Sequence, residues 1–151
     1  MSPFYLFRDI HTTPDYSPVR YEGYRYPSFC AEMGVGIQMT YGRRPRIPAE
    51  AGEGLMVRSL GSGANGIGYY MYHGGITPQG KRGFFSDEPS GVPKMSYDFQ
   101  APIGEFGHTR ASYHSLRIIH HFVNDFGHLL APMGVVLPEH SDTITPSNTH
   151  T

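Results

Sequence analysis

Two stretches, SFCAEMG (28–34) and IGYYMYHGG (67–75), decide how this chain folds. The first is a short, mostly apolar run stopped by Gly34, which reads as a strand buried in a parallel sheet covered on both faces. The second is dense in residues that suit a pleated surface, and Gly74 and Gly75 end it. Between them Pro48 opens a helix, since its missing N–H has no partner to lose at the first helical position. Ala51, Leu55, Met56 and Leu60 give that helix one apolar face, and Gly61 supplies a left-handed stop. Gly52 and Gly54 weaken it by about 1 kcal/mol each relative to alanine. GSGANG (61–66) reads as a turn, and residues 34–47, with the basic GRRPR (42–46), read as a loop.

Outward from this core the pattern loosens. Ile76 to about His108 is a long loop. A last helix spans about Arg110 to Phe126, with Thr109 as its N-cap. Leu116, Ile119, Val123 and Phe126 recur along it at helical spacing, and Gly127 ends it. Residues 1–26 are rich in Pro, Tyr and Asp without period, and read as irregular. Residues 139–151 form a polar tail expected to be disordered. Strand, helix, strand, helix is the α/β order. Two parallel strands and two helices can neither close a barrel nor cover both faces of a sheet, so a part of a larger α/β domain is expected.

Composition removes several functions. The 151 residues carry a net charge of -1, without the basic stripe that nucleic-acid binding needs. No apolar run approaches the ~20 residues of a membrane helix, so no membrane partner is expected. Met1 to Ile10 lacks the basic start and apolar centre of a signal peptide. Cys30 is the sole cysteine, which precludes an internal disulfide. Gly61, Gly63 and Gly66 match G-x-G-x-x-G, but a helix precedes them and a strand follows, the reverse of a dinucleotide site. His108, His114, His120, His121 and His128 suggest a metal cluster, and His114 and His121 could share a helix face. Without a compact motif such as H-E-x-x-H they read as surface histidines. Neither a cofactor nor a metal is expected.

Glu32 stands out as a candidate catalytic residue. It lies near the end of an apolar strand, two residues after Cys30 and so on its face. A carboxylate there is costly unless paired or used. An ion pair with Arg43 or Arg44 is the structural reading. Catalysis is the functional one, because barrel enzymes place reacting groups at the C-terminal ends of strands. On the second strand Tyr70 and Tyr72 share one face, and Tyr69, Met71 and His73 the other. Tyrosines can pack against a sugar ring, although aromatics in strands also serve as core.

YYMYHGG (69–75), SYDFQAP (96–102) and GEFG (104–107), with FCAEMG (29–34) upstream, resemble the C-terminal barrel segment of glycoside hydrolase family 35, the β-galactosidases. The likeness covers about residues 27–132. It implies an α/β fold that is a partial (β/α)8 TIM barrel: the last two β/α units with a long loop, residues 1–138 being the C-terminal portion of the catalytic barrel. It further implies Glu32 as the nucleophile and Tyr70 and Tyr97 as tyrosines lining a galactose pocket. Phe99 stands where the family usually has another tyrosine, and Gln100 where it has an acidic residue. The implied chemistry is retaining hydrolysis of terminal β-galactosides by two carboxylates ~5 Å apart. The family carries its acid/base in an Asn-Glu pair on an earlier strand, and no such pair occurs here. The expectation is half a catalytic centre, inactive alone, whose partners are a carbohydrate and the missing remainder of the barrel. Two other readings remain: a non-catalytic carbohydrate-binding or interaction module, and a small metal-binding α/β protein using the C-terminal histidines.

Overall fold

The computed structural model describes residues 10, 22–84, 91–92, 95–137 and 139. Its centre is a β-α-β unit: β1 (Phe29–Gly34), α1 (Ala49–Gly61) and β3 (Gly66–Tyr70), with β1 and β3 paired in parallel. The second helix, α2 (Ala111–Leu130), packs across α1. Met33, Val35, Met56 and Leu116 form the buried core, with Cys30, Leu55, Leu60, Ile67, Ile119 and Val123 packed against it. Apolar periodicity thus finds its partners: one face of each helix meets one face of the strand pair.

The remaining strands are two residues long. β2 (Met39–Thr40) pairs with β7 (Gly91–Val92), β4 (Gly75–Ile76) with β8 (Ser96–Tyr97), and β5 (Gln79–Gly80) with β6 (Gly83–Phe84), all antiparallel. The expected long loop is therefore folded into ribbons. The described residues make a mixed α/β arrangement of two helices and four two-stranded sheets, without a closed barrel among them. Residues Gly23–Arg25 form a single 3-10 turn. The irregular reading of residues 1–9 and 11–21, and the tail reading beyond Glu139, lie outside the described residues.

Helix ends differ from expectation in instructive ways. Pro48 is the N-cap of α1, extended at φ -60 and ψ 146, and Ala49 begins the helix. Gly61 is the last helical residue, and the left-handed position falls two residues later, at Gly63 with φ 91. There the N–H of Gly63 donates to Leu60 O at 3.0 Å and that of Ala64 to Ser59 O at 3.0 Å, the paired bonds of a Schellman closure. Arg110 rather than Thr109 caps α2, and the helix runs through Gly127 to Leu130. A single interior glycine costs about 1 kcal/mol but breaks no hydrogen bond, and the N–H of Ala131 still donates to Gly127 O.

Candidate functional site

The C-terminal ends of β1 and β3 meet a third segment, 97–100. Pairing runs Cys30 with Ile67 and then Met33 with Tyr69, so three steps on β1 oppose two on β3. This is a β-bulge, which re-aims side chains and is favoured beside active sites. It overturns one expectation: Cys30 and Met33 both pack into the core, whereas Glu32 is exposed and does not share the Cys30 face. The bulged strand comes so close that a Cβ on Gly68 would stand 2.5 Å from Ala31 O.

Beyond the strands the N–H of Gly36 donates to Tyr70 O at 3.3 Å, and that of Ile37 to Phe99 O at 2.9 Å. A Cβ at Gly36 would lie 2.7 Å from Met71 Cβ and 2.9 Å from Phe99 O. Met71, Phe99 and Gln100 all have positive φ, at 65, 44 and 60 degrees. Left-handed backbone costs an L-residue roughly 1–3 kcal/mol, and such strain gathers at functional sites. Three strained residues therefore surround one junction of strand ends.

Among the described residues the Glu32 carboxylate makes no ion pair, so the pairing with Arg43 or Arg44 does not form; Arg44 Nε donates to Thr40 O instead. Tyr70 is the last residue of β3, opposite Gly34. Glu32 and Tyr70 thus sit on adjacent paired strands, two register steps apart. Tyr97 belongs to a separate ribbon. Its ring lies 4.4 Å from that of Phe99, whose carbonyl holds Ile37, and this is its tie to the strand ends. The expected face shared by Tyr70 and Tyr72 is not found. Left-handed Met71 breaks the alternation, and Tyr72 packs 5.1 Å from Tyr69 against the core.

Polar contacts hold the 97–110 segment. Asp98 accepts the N–H groups of Glu105 at 2.9 Å and Gln100 at 3.3 Å, and pairs with Arg110 at 2.7 Å. Burial pushes its carboxyl up, but those two N–H groups and the guanidinium outweigh it and hold the pKa below the ordinary value. Arg110 also donates to Ala101 O at 2.6 Å. Ser96 donates to Glu105. Gln100 donates to Pro45 O at 2.9 Å and accepts the N–H of Ile47 at 3.2 Å. Such a double contact suits an amide, since a carboxylate cannot donate. Apart from the Asp98–Gln100 contact, two residues apart, these partners lie 7 to 55 residues apart, beyond any local period.

On the helix side of β3, Tyr69 Oη lies 2.6 Å from His120 Nε2 and donates to Met56 Sδ at 2.7 Å. A hydroxyl has one proton and sulfur has none to give, so both contacts are satisfied when His120 Nε2–H donates to Tyr69. Burial, helped by Tyr72, pushes the Tyr69 phenol up to about 12. Burial, then the charge of His121, pushes the His120 imidazole below its usual value. Arg117 Nε donates to His121 at 3.3 Å. Among the described residues no three His, Cys, Asp or Glu side chains are grouped to hold a metal ion, and no helix is long and apolar enough to cross a membrane.

Comparison with known proteins adds two findings. The profile of the glycosyl hydrolases of family 35 matches residues 7–123. Beta-galactosidase 10 of Arabidopsis thaliana is 37% identical over 84 residues, which are 54% of this chain and 10% of that protein. The chain spans about a tenth of the length of that curated relative.

Proposed function

The chain belongs to glycosyl hydrolase family 35, and on that premise we propose that it forms the C-terminal portion of a (β/α)8 catalytic barrel of a retaining β-galactosidase. In this reading residues 1–138 belong to the barrel, and β1-α1 and β3-α2 are its last two β/α units. Glu32 is the nucleophile, and Tyr70 and Tyr97 line the sugar pocket. The observation that carries the reading is the bulge in β1, which turns the Glu32 carboxylate out of the core beside the strand that ends in Tyr70.

The mechanism follows from two carboxylates. Glu32 attacks the anomeric carbon and forms a glycosyl-enzyme ester, while an acid protonates the departing oxygen; water, activated by the same group as base, then releases the sugar. Within this chain the carboxylates nearest in sequence to Tyr97 are already engaged. Asp98 is held by Arg110 and two N–H groups, and Glu105 accepts from Ser96. The acid therefore comes from the remainder of the barrel, and the isolated chain does not hydrolyse galactosides. General acid help is worth ~10²–10⁴-fold, and lost positioning removes more.

Two assays test this. In a full-length family member carrying this segment, Glu32→Gln should cut turnover by orders of magnitude; a loss within about tenfold, ~1.4 kcal/mol of barrier, would reject the assignment. The 151-residue protein, assayed on an aryl galactoside and on lactose beside its own Glu32→Gln variant, should show no difference. Clear turnover above that control would overturn the half-site reading.

A further inference from the structure

A cleft of about 660 Å³ opens between the starts of α1 and α2, and neither Glu32, Tyr70 nor Tyr97 lines it. Arg46, Glu50, Arg110 and Ser112 stand around it, with Val35 and Gln100. Both helices begin there without a side-chain cap, at Pro48 and at Arg110. The first-turn N–H groups of Ala49, Glu50, Ala111 and Ser112 therefore have no intrahelical acceptor, and the helix dipoles of 13 and 20 residues present positive ends to the same space.

A second observation concerns a side chain. Ser112 is 9% exposed, and its hydroxyl has no hydrogen-bond partner among the described residues. The oxygen keeps some contact with solvent, and Ser112 is one of the residues that line the cleft. With no protein partner, this hydroxyl is open to donate to a ligand in the cleft. Arg46, likewise, makes no ion pair among the described residues.

The donors outnumber the acceptors. The Arg110 charge is matched by Asp98, and Gln100 is committed to Pro45 and Ile47. What remains open is the Arg46 guanidinium, the Ser112 hydroxyl and four backbone N–H groups, against a single carboxylate, Glu50. A ligand that satisfies this set must be rich in acceptors and negatively charged. We infer that this cleft is a binding site for a small oxyanion, a carboxylate, sulfate or phosphate group. That the group is borne by an acidic sugar rests on the function proposed above; the anion site itself does not.

The test follows the backbone amides of the full 151-residue chain by NMR during titration with inorganic phosphate, sodium sulfate, galacturonate and neutral galactose, with chloride holding ionic strength constant. Saturable shifts at Ala49, Glu50, Ala111 and Ser112 with at least one anion, absent with galactose, are the expected result. Galacturonate among the binders points to a uronate-bearing sugar, and phosphate or sulfate alone to the ester or the free ion. Arg46→Gln should weaken the dissociation constant about 3-fold and Glu50→Gln should tighten it by a similar factor, the range for exposed charges near a helix start. Glu32→Gln should leave it unchanged, which separates this site from the catalytic reading. No saturable shift with any anion, equal shifts with galactose, or weaker binding in Glu50→Gln would each overturn the site.

Discussion

Segment 29–70 and segment 95–110 sit side by side but are held by different forces. The first rests on Met33, Val35 and Met56 closing against Leu116, side chains whose only requirement is shape and exclusion of water. The second buries Phe99, Ala101 and Pro102, yet its path is set by Asp98, Arg110, Ser96, Glu105 and Gln100 reaching backbone groups and one another. Apolar packing tolerates small shifts. A hydrogen-bonded loop in which Phe99 and Gln100 are left-handed does not, because each partner must be met at a defined distance and angle. The proposed pocket lies where the two regimes join, with its nucleophile on the first segment and Tyr97 on the second.

That contrast can be broken at several points, taken from the largest expected effect downward. Leu116→Ala should cost about 2–5 kcal/mol in chemical denaturation, since the side chain is fully buried and its loss leaves a cavity. A cost under about 1 kcal/mol would mean that the apolar segment collapses as readily as a loop. Asp98→Asn should cost about 1–3 kcal/mol, because Arg110 loses its counter-charge. The same residue sets an acid limit. Its folded pKa is depressed, so its contribution is complete above the unfolded value of ~3.9 and is lost as pH falls through the folded one. Melting curves from pH 7 to pH 3 should show a drop in the parent that is smaller in the variant; parallel curves would remove Asp98 from the list of anchors.

Gln100→Glu sharpens the comparison further. Glutamate can still accept from Ile47 N–H but sets a carboxylate against Pro45 O, and about 1–2 kcal/mol should be lost; an unchanged midpoint would show that the amide clamp is incidental. His120 sits on the apolar side but carries a polar contact. Its pKa is lowered by burial and by His121, so its contribution is present above ~6.5 and declines as pH falls below that. Thermal melts at pH 7.5 and 5.5 should differ less in His120→Gln than in the parent. The smallest effect belongs to Ile118, 72% exposed on the outer side of α2: Ile118→Ser should stay within about 0.5 kcal/mol, and a larger loss would reveal that the outer face of the helix is in use.

The amino-acid sequence by itself determined the order strand, helix, strand, helix, the inward faces of both helices through Met56, Leu116, Ile119 and Val123, and membership of the family. Those features are local: a period of 3.6, a strand stopped by glycine and a run of motif residues are complete within a few positions. Only the tertiary structure decided which way Glu32 points, because the bulge exists only in the pairing of β1 with β3. It also decided that Tyr72 joins Tyr69 rather than Tyr70, since left-handed Met71 is packed against Gly36. The anchoring of segment 97–110 by Asp98, Gln100 and Arg110 belongs to the same class. Each of these depends on hydrogen bonds or close approaches between residues far apart in the chain, and their energy is defined only once the segments have been brought together.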